Sequence, residues 1–181
     1  MAIDSRSRVI VCLTGFMGTG KSTVARLLAR QIGCQHVDLD KRIIEAANQT
    51  IPDIFAKRGE AEFRSIEHEQ LVRILGEATE QSRPRLVSLG GGTTAQSQNL
   101  AIIRKVGAIL IWLHCPLEEL LRRVAHIQDR PLFRDEVSFR KLYEERLPFY
   151  ELADYRVETN IEPLRVVEQI LALGIFPRVV A

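Results

Sequence analysis

Short runs of consecutive apolar residues alternate along this chain with longer stretches in which apolar residues recur every three or four positions. The runs are typical of strands in a parallel sheet buried on both faces, and the recurring pattern is typical of amphipathic helices. Five runs predict strands, and they lie at residues 8–14, 36–39, 85–89, 106–113 and 155–159. We therefore expect a three-layer α/β/α fold around a five-stranded, mostly parallel sheet.

Glycine, proline and hydroxyl residues indicate where the helices begin and end. Residues 21–32 carry apolar side chains at helical spacing, and Gly33 follows as a stop. Thr50 precedes Ile51-Pro52 and is placed to cap the first turn of another helix. Further helices are predicted from Asp40, after Gly59, at residues 96–105, from Pro116, before the fifth strand and after Pro163. Between residues 127 and 137 the periodicity fades and charge rises, which predicts a mobile surface loop.

Length and charge limit the classes of function that the chain can have. Its 181 residues, 46% of them hydrophobic, are the size of one domain with a sizeable core. The formal charge of +2 gives no overall basic footprint for nucleic acid. The apolar run at residues 106–113 is far shorter than the roughly 20 residues of a membrane helix. We expect a single domain over residues 1–181, a monomer that binds neither nucleic acid nor membrane.

The three cysteines, Cys12, Cys34 and Cys115, show no CxxC spacing. Two of them lie in apolar runs, and an odd number of separated cysteines does not predict a disulfide framework. The pattern favours a reducing compartment. With no targeting segment before the first strand, we expect the protein to be cytoplasmic.

A glycine-rich segment carries the clearest chemistry. Gly15–Ser22 matches the phosphate-binding pattern G-x-x-x-x-G-K-[ST] in full, between a predicted strand and a predicted helix. Backbone N–H groups of such a loop surround an anion, the helix start adds its positive dipole end, and the lysine reaches the β- and γ-phosphates. The residues expected to contact ATP are Gly18, Thr19, Gly20, Lys21, Ser22 and Thr23. The Ser22 hydroxyl is also expected to face Mg²⁺, but the loop alone does not distinguish hydrolysis, transfer and sensing.

Five further motifs follow the phosphate loop in order. They are Asp38-Leu39-Asp40, the F-R-x-x-E of Phe63–Glu67, Ser88-Leu89-Gly90-Gly91-Gly92, Asp129-Arg130-Pro131-Leu132 and the R-x-P-x-Y of Arg146–Tyr150. Over about residues 9–173 the chain thus resembles the shikimate kinase family, which has a P-loop kinase fold of the nucleoside monophosphate kinase type. The resemblance implies that residues 40–78 form an acceptor-binding helical region and that residues 127–137 form a lid.

The resemblance implies an activity and a set of small-molecule substrates. The expected reaction is ATP-dependent phosphorylation of the shikimate 3-hydroxyl, with Mg²⁺ as cofactor, in the pathway to chorismate and aromatic amino acids. Asp40 would orient the acceptor hydroxyl, either through a hydrogen bond alone or by also accepting its proton, and Asp38 would act on Mg²⁺ through water. Lys21 and Arg130 would stabilise charge on the transferring phosphate, and Arg123 would lie against the adenine ring.

Two arginines and two glycines complete the expected acceptor site. Arg64 and Arg146 match the family's carboxylate-binding positions, and a planar guanidinium can hold a carboxylate through two hydrogen bonds. Glu67 could orient Arg64 as an i,i+3 partner. Gly91 and Gly92 lie where a side chain would obstruct the approach of the acceptor to backbone N–H groups.

Other interpretations stay open at this point. A kinase of the same fold that acts on gluconate or a nucleoside monophosphate would share the nucleotide-binding half. Asp40, Arg64, Gly91 and Arg146 suit a small polyhydroxy carboxylate better than a base-bearing acceptor. A sensing domain would need a helix-turn-helix module, and only about eight residues precede the first strand. A pseudokinase would not need the intact lysine and D-x-D motif.

Several other residues are expected to be structural or depart from the family pattern. No metal-ligand spacing connects the four histidines, and an apolar run contains the tryptophan; these are His36, His68, His114, His126 and Trp112. Asn99 is followed by Leu100 where the family commonly has an arginine. No basic residue follows Asn160, on the side expected for adenine.

Overall fold

The computed structural model describes residues 9–80, 84–125 and 135–176. Strands occupy Ile10–Thr14 (β1), Gln35–Asp38 (β2), Arg85–Ser88 (β3), Ile109–His114 (β4) and Tyr155–Glu158 (β5). Helices occupy Lys21–Ile32 (α1), Leu39–Ala47 (α2), Ile51–Glu80 (α3), Ser97–Lys105 (α4), Leu117–Val124 (α5), Glu136–Tyr150 (α6) and Pro163–Ala172 (α7). A 3-10 turn lies at Thr93–Ala95.

The strands form one sheet with the order β2-β3-β1-β4-β5. Every neighbouring pair of described strands is parallel. In the central strand β1, Cys12 pairs with Val87 of β3 and with Leu110 of β4. The predicted five-stranded, mostly parallel sheet is confirmed. Because the carboxyl ends of parallel strands meet at one edge, the segments that follow β1, β2 and β3 lie on the same side of the sheet.

Helices cover both faces of the sheet, because successive residues of a strand point to opposite sides. Cys12 belongs to the core formed with α2, α3 and α4, which includes Ile74 of α3. Leu13 belongs to the opposite core formed with α1 and α7, which includes Val167. All four of these side chains are buried. The predicted three-layer α/β/α arrangement is therefore confirmed.

A third cluster of buried side chains lies at the carboxyl edge of the sheet. It joins the segment after β1 to β4, α5 and α6, and its aromatic members are Phe16, Trp112, Phe139, Tyr143 and Tyr150. Since most of these side chains project from α6, this cluster holds α6 against the carboxyl end of the central strands. That edge is where an α/β sheet binds its ligands.

Capping residues and glycines set several helix ends as predicted. The Thr50 hydroxyl accepts a hydrogen bond from the backbone N–H of Asp53 over 3.2 Å, and α3 begins at Ile51. Gly59 interrupts α3 with φ 81°, at the position where a new helix was predicted. Gly33 ends α1 in the left-handed region, with φ 65°. Among the described helices, none combines the length and the apolar character needed to cross a membrane.

The predicted strand at residues 106–113 is wrong at its start. The backbone N–H of Val106 donates to Ile102 O over 3.1 Å, so this residue completes α4. Gly107 then turns the chain with φ 68°, and β4 begins only at Ile109. A local turn interrupts what is a continuous apolar run in the sequence.

Two other boundaries are moved by aspartate caps. The prediction that the second strand reaches residue 39 is wrong, because an oxygen of Asp38 accepts from the backbone N–H of Lys41 and Leu39 already belongs to α2. The prediction that the loop reaches residue 137 is also wrong. Asp135 accepts from the Ser138 backbone N–H over 2.7 Å, so α6 begins at Glu136. The other part of that prediction, residues 127–134, lies outside the described residues.

The three cysteines are free thiols. Burial raises the pKa of Cys12 to about 12 and that of Cys34 to about 11. Both side chains are therefore protonated at neutral pH. Cys12 acts as a small apolar group in the core, and the half-buried Cys34 packs against the core on the side of α1 and α7.

Candidate active site

The phosphate loop connects β1 to α1 and depends on its glycines. Gly15 has φ 144°, and a Cβ at this position would lie 2.5 Å from the carbonyl oxygen of Leu113. Gly18 and Gly20 also have positive φ, 84° and 86°. These conformations are strained for residues with a side chain, and they turn the backbone into the tight curve that the motif predicts.

Side chains inside the loop hold its shape. Lys21 donates from Nζ to the carbonyl oxygens of Gly15 and Phe16, over 2.8 and 2.9 Å. The buried Thr19 hydroxyl donates to the same Phe16 carbonyl over 2.9 Å. The Lys21 ammonium therefore lies over the loop in which the phosphates of a nucleotide are expected, whereas the Thr19 hydroxyl is used within the loop.

Three oxygen-bearing side chains come together beside the start of α1. Ser22 donates to Asp38 over 2.9 Å. Asp38 pairs in register with Ser88 of the neighbouring strand, and the Ser88 hydroxyl lies 2.9 Å from His36 Nε2. No group of three or more His, Cys, Asp or Glu able to hold a metal ion occurs in the described part of the chain. The hydroxyl and carboxylate oxygens present fit Mg²⁺, which is bound through few protein ligands and keeps several waters.

The turn after β3 meets the phosphate loop at Gly91. A Cβ at Gly91 would lie 3.6 Å from the carbonyl oxygen of Gly15 and 3.9 Å from the backbone nitrogen of Met17. The backbones of the two turns are therefore in near contact. A ligand at the glycine turn lies next to the loop that receives phosphates.

The other two glycines of this turn face the predicted acceptor-binding side chains. A Cβ at Gly90 would lie 3.0 Å from Asp40 Oδ1. A Cβ at Gly92 would lie 2.8 Å from Arg64 Nη2 and 3.1 Å from Arg146 Nη1. The structure thus brings together a carboxyl group and two guanidinium groups that come from α2, α3 and α6.

Arg64 is held by a buried glutamate. Its Nη1 donates to Glu67 over 2.8 Å, and Glu60 accepts from the same guanidinium over 3.2 Å. The Arg64 side chain is 14% exposed and that of Glu67 only 1%, so the pair has little screening by solvent. The predicted i,i+3 pair between Arg64 and Glu67 is confirmed.

One face of α6 links the two turns. Phe139 and Tyr143 make edge-to-face contacts with Phe16 of the phosphate loop, with centroids 5.0 and 5.4 Å apart. Further along the same face, Arg146 reaches Gly92, and the Tyr150 hydroxyl donates to Gly91 O over 2.5 Å. The helix that carries Arg146 therefore also packs on the phosphate loop.

Tyr150 is a functional candidate that sequence reasoning missed. It is the last residue of the R-x-P-x-Y motif, one helical turn from Arg146, and this spacing was the signal that could have placed both residues at one turn of the site. Burial raises the pKa of Tyr150. Its hydroxyl therefore stays protonated and can donate the hydrogen bond to the carbonyl oxygen of Gly91.

Comparisons with known proteins agree with this geometry. The shikimate kinase family model matches residues 17–173. This chain belongs to the shikimate kinase family. It is 38% identical over 163 residues to a shikimate kinase of Persephonella marina, covering 89% of this chain and 96% of the relative. It is 39% identical over 153 residues to that of Geobacter metallireducens, covering 83% of this chain and 82% of the relative.

A solved structure of the family has the same fold over almost its full length. Shikimate kinase from Acinetobacter baumannii, crystallised in complex with shikimate, superposes with a TM-score of 0.82 and 32% identity. The match covers 96% of this chain and 97% of that one. The predictions of a P-loop kinase fold and of a shikimate kinase are confirmed by these comparisons.

On the nucleotide side, Arg123 lies between the phosphate loop and the segment after β5. Its guanidinium donates to Thr159 O over 2.8 Å, to Glu119 over 2.8 Å and to Gly18 O over 3.4 Å. Contact of Arg123 with adenine stays a prediction. Arg130, the other arginine predicted to contact ATP, lies outside the described residues.

The described histidines all hydrogen-bond to other side chains. His36 contacts Ser88, His68 contacts Asn99 and His114 contacts Glu158, over 2.9, 2.7 and 2.7 Å. Trp112 is 4% exposed, so its predicted place in the core is confirmed. His126 lies outside the described residues. The partners of His36 and His68 lie at the end of β3 and in α4, on either side of the glycine turn.

Proposed function

We propose that this chain transfers the γ-phosphoryl group of ATP to the 3-hydroxyl of shikimate and releases shikimate 3-phosphate and ADP. The observation that carries the proposal is the glycine turn at residues 90–92. Gly91 faces the phosphate loop, and Gly90 faces Asp40. Gly92 faces both Arg64 and Arg146. A phosphate donor and a carboxylate-bearing acceptor bound on either side of this turn would be neighbours.

The acceptor is held at both ends in this proposal. Arg64 and Arg146 converge on Gly92, where two guanidinium groups can bind a carboxylate through charge-assisted hydrogen bonds. Asp40 lies beside Gly90, which is two residues before the glycine that the two arginines face. We expect the backbone N–H groups of Gly91 and Gly92 to donate to the acceptor. A polyhydroxy carboxylate of the size of shikimate satisfies all of these groups.

The nucleotide is held by the phosphate loop and its flanking side chains. Gly18 and Gly20 contribute backbone N–H groups, and Lys21 neutralises charge on the β- and γ-phosphates. Thr23 follows at the start of α1, where its N–H donates to Gly20 O over 3.0 Å. Arg123 contributes on the adenine side, and Arg130 contributes at the transferring phosphate.

Ser22 and Asp38 would hold Mg²⁺, directly for the hydroxyl and through water for the carboxylate. When bound, Mg²⁺ neutralises charge that develops on the β- and γ-phosphate oxygens.

Phosphoryl transfer requires alignment of the attacking oxygen more than covalent help from the protein. Asp40 accepts a hydrogen bond from the 3-hydroxyl, orients its oxygen towards the γ-phosphate and takes up the proton as the new O–P bond forms. The bond between the γ-phosphorus and the β–γ bridging oxygen breaks, and ADP leaves with that oxygen. Lys21 and Arg130 stabilise the charge on the phosphoryl group during transfer.

We further infer that the enzyme is a cytoplasmic monomer that uses only small-molecule substrates. The near-neutral charge of +2 and the free, protonated cysteines support this inference. Light scattering coupled to size-exclusion chromatography at working concentration tests the monomer, since a mass twice that of the 20.5 kDa chain would contradict it.

A coupled assay of ADP release with a panel of acceptors tests the proposed activity. Shikimate, gluconate and a nucleoside monophosphate are compared at equal concentration with MgATP, and the product is identified by mass spectrometry. We expect only shikimate to stimulate ADP release above the background hydrolysis. Equal stimulation by all three compounds, or by none, would reject the proposal. Arg64→Ala should raise the KM for shikimate, and an effect on ATP alone would show that Arg64 has another role.

A further inference from the structure

A continuous set of hydrogen bonds runs from the acceptor-side arginine into the interior. Arg64 donates to one carboxyl oxygen of Glu67 over 2.8 Å, and the Thr93 hydroxyl donates to the other over 2.7 Å. Asn99 Nδ2 donates to the carbonyl oxygen of Thr93 over 3.2 Å. Asn99 Oδ1 in turn lies 2.7 Å from His68 Nδ1. The set therefore joins α3, the turn that follows Gly92 and α4.

The middle of this network has no access to water. Glu67 is 1% exposed, and Thr93 and Asn99 are both 0% exposed. A buried hydroxyl, amide or carboxyl group is costly unless it is hydrogen-bonded, and a group that loses its partner there cannot find a substitute in solvent. Any displacement of one member is therefore passed to the next.

The direction of each bond follows from the chemistry of the groups. The Thr93 carbonyl can only accept, so the nitrogen of the Asn99 amide must face it. The Asn99 oxygen then faces His68 and accepts, which requires a proton on His68 Nδ1. One tautomer of the imidazole is thereby selected by a carbonyl group on another element.

The network also touches the glycine that faces Asp40. A Cβ at Gly90 would lie 3.0 Å from Asp40 Oδ1, 3.1 Å from Thr93 Oγ1 and 3.4 Å from Glu67 Oε1. The Thr93–Glu67 hydrogen bond thus lies next to both the hydroxyl-binding and the carboxylate-binding parts of the site.

We propose that His68 and Asn99 are positioning residues for the acceptor, which act through Thr93 and Glu67 on Arg64 and on the glycine turn. Neither residue lies at the predicted acceptor contacts. The inference rests on the proposed function, because it assigns the network to acceptor binding rather than to nucleotide binding or to folding alone.

A matched pair of substitutions at His68 tests the proposal. In His68→Asn the amide nitrogen can occupy the place of Nδ1 and still donate to Asn99, whereas His68→Leu has no donor. We expect His68→Leu to raise the KM for shikimate about threefold to tenfold, the range for one lost buried hydrogen bond, with the KM for ATP unchanged. His68→Asn should restore most of the shikimate KM. Arg73→Ala, which removes an exposed ion pair on the same helix, is the control and should change neither constant.

Asn99→Asp provides a second test on the other side of the network. Its carboxyl oxygen can still accept from His68, but it cannot donate to the Thr93 carbonyl, so the same selective rise in shikimate KM is expected. Equal changes in both KM values, or equal losses in His68→Asn and His68→Leu, would overturn the proposal. If His68→Leu does not fold, Asn99→Asp and His68→Asn still decide between these outcomes.

The tautomer of His68 gives a readout that does not depend on activity. In ¹⁵N NMR of the wild-type protein, we expect the His68 imidazole to carry its proton on Nδ1. A proton on Nε2 alone would contradict the network. Failure of the wild-type enzyme to phosphorylate shikimate would reject the proposed function, whereas normal wild-type activity with unaffected variants would reject only the positioning role.

Discussion

The hydroxyl of Tyr150 donates a hydrogen bond to the carbonyl oxygen of Gly91 over 2.5 Å, although the two residues are 59 positions apart in the chain. Tyr150 is fully buried near the end of α6, and its ring stacks on Trp112 at 6.0 Å. Gly91 also faces Gly15 of the phosphate loop. This hydrogen bond therefore joins α6 to the glycine turn at the point where that turn meets the phosphate loop.

Tyr150→Phe removes this donor and leaves the Gly91 carbonyl without its partner. We expect the free energy of unfolding to fall by about 1–2 kcal/mol and kcat/KM for shikimate to fall about threefold to tenfold. Urea unfolding and steady-state kinetics measure the two effects. Tyr155→Phe, at an exposed tyrosine of β5, is the matched control and should leave both unchanged.

The same hydroxyl predicts a dependence of stability on pH. Burial raises the pKa of Tyr150 above its ordinary value of 10, so the folded protein keeps a proton that the unfolded chain releases. This contribution to stability is present below about pH 10 and is lost as the pH rises towards the raised pKa. Urea unfolding at about pH 8 and about pH 11 should show a smaller difference between wild type and Tyr150→Phe at the higher pH. A constant difference would contradict the buried, protonated hydroxyl.

Gly92→Ala places a methyl group 2.8 Å from Arg64 Nη2 and 3.1 Å from Arg146 Nη1. The guanidinium groups lie at the ends of flexible side chains and can move away, so the protein should still fold. Their displacement should weaken the binding of the carboxylate of shikimate. We expect the KM for shikimate to rise about tenfold or more and the KM for ATP to stay unchanged. Gly76→Ala, in the middle of α3 with no atom within 4 Å of the added Cβ, should instead stabilise the fold by about 0.5–1 kcal/mol. A rise in the ATP KM alone would place the acceptor elsewhere.

Asp40→Asn keeps the shape of the side chain beside Gly90 and removes its ability to take up a proton. We expect kcat to fall by about a hundredfold or more while the folded state is retained, the usual contribution of a positioned acid-base group. Circular dichroism and the coupled assay measure the two properties. Glu45→Gln, at an exposed carboxylate of the same helix α2, should have wild-type kcat. A near-wild-type rate for Asp40→Asn would remove Asp40 from the mechanism.

Arg123→Gln tests the nucleotide side, where neighbouring arginines share Glu119 as a partner. Arg123 also reaches Gly18 O and Thr159 O, whereas the Arg122 side chain is 70% exposed and bonds to Glu119. We expect Arg123→Gln to raise the KM for ATP about threefold to tenfold, while Arg122→Gln has no effect on it. Equal effects of the two substitutions would indicate a general charge effect instead of a specific site.

Much of the fold could be predicted because it depends on local pattern. The continuous apolar run before Gly15 predicts a strand buried on both faces, and helical spacing after Lys21 predicts α1. The errors lie at boundaries where a single capping residue or turn decides. Gly107 breaks an apolar run, and Asp135 caps α6, so that the first two residues of this helix lie inside the predicted loop.

In the site, too, contacts between residues close in sequence could be predicted, and contacts between distant residues could not. Arg64 and Glu67 are three residues apart on a helix, so their pairing could be predicted from spacing. The contacts of Tyr150 with Gly91 and of His68 with Asn99 join residues 59 and 31 positions apart, and no periodicity relates them.

By itself, the sequence determined that this protein binds a nucleotide phosphate and, through its ordered motifs, that it resembles the shikimate kinases. A phosphate loop is formed by consecutive residues, so one short sequence motif contains the groups that bind phosphate. Only the tertiary structure decided how Asp40, Arg64 and Arg146 surround one glycine turn beside that loop. Their convergence depends on the parallel sheet, which brings the ends of distant strands to one edge, and on the packing of α6 across them.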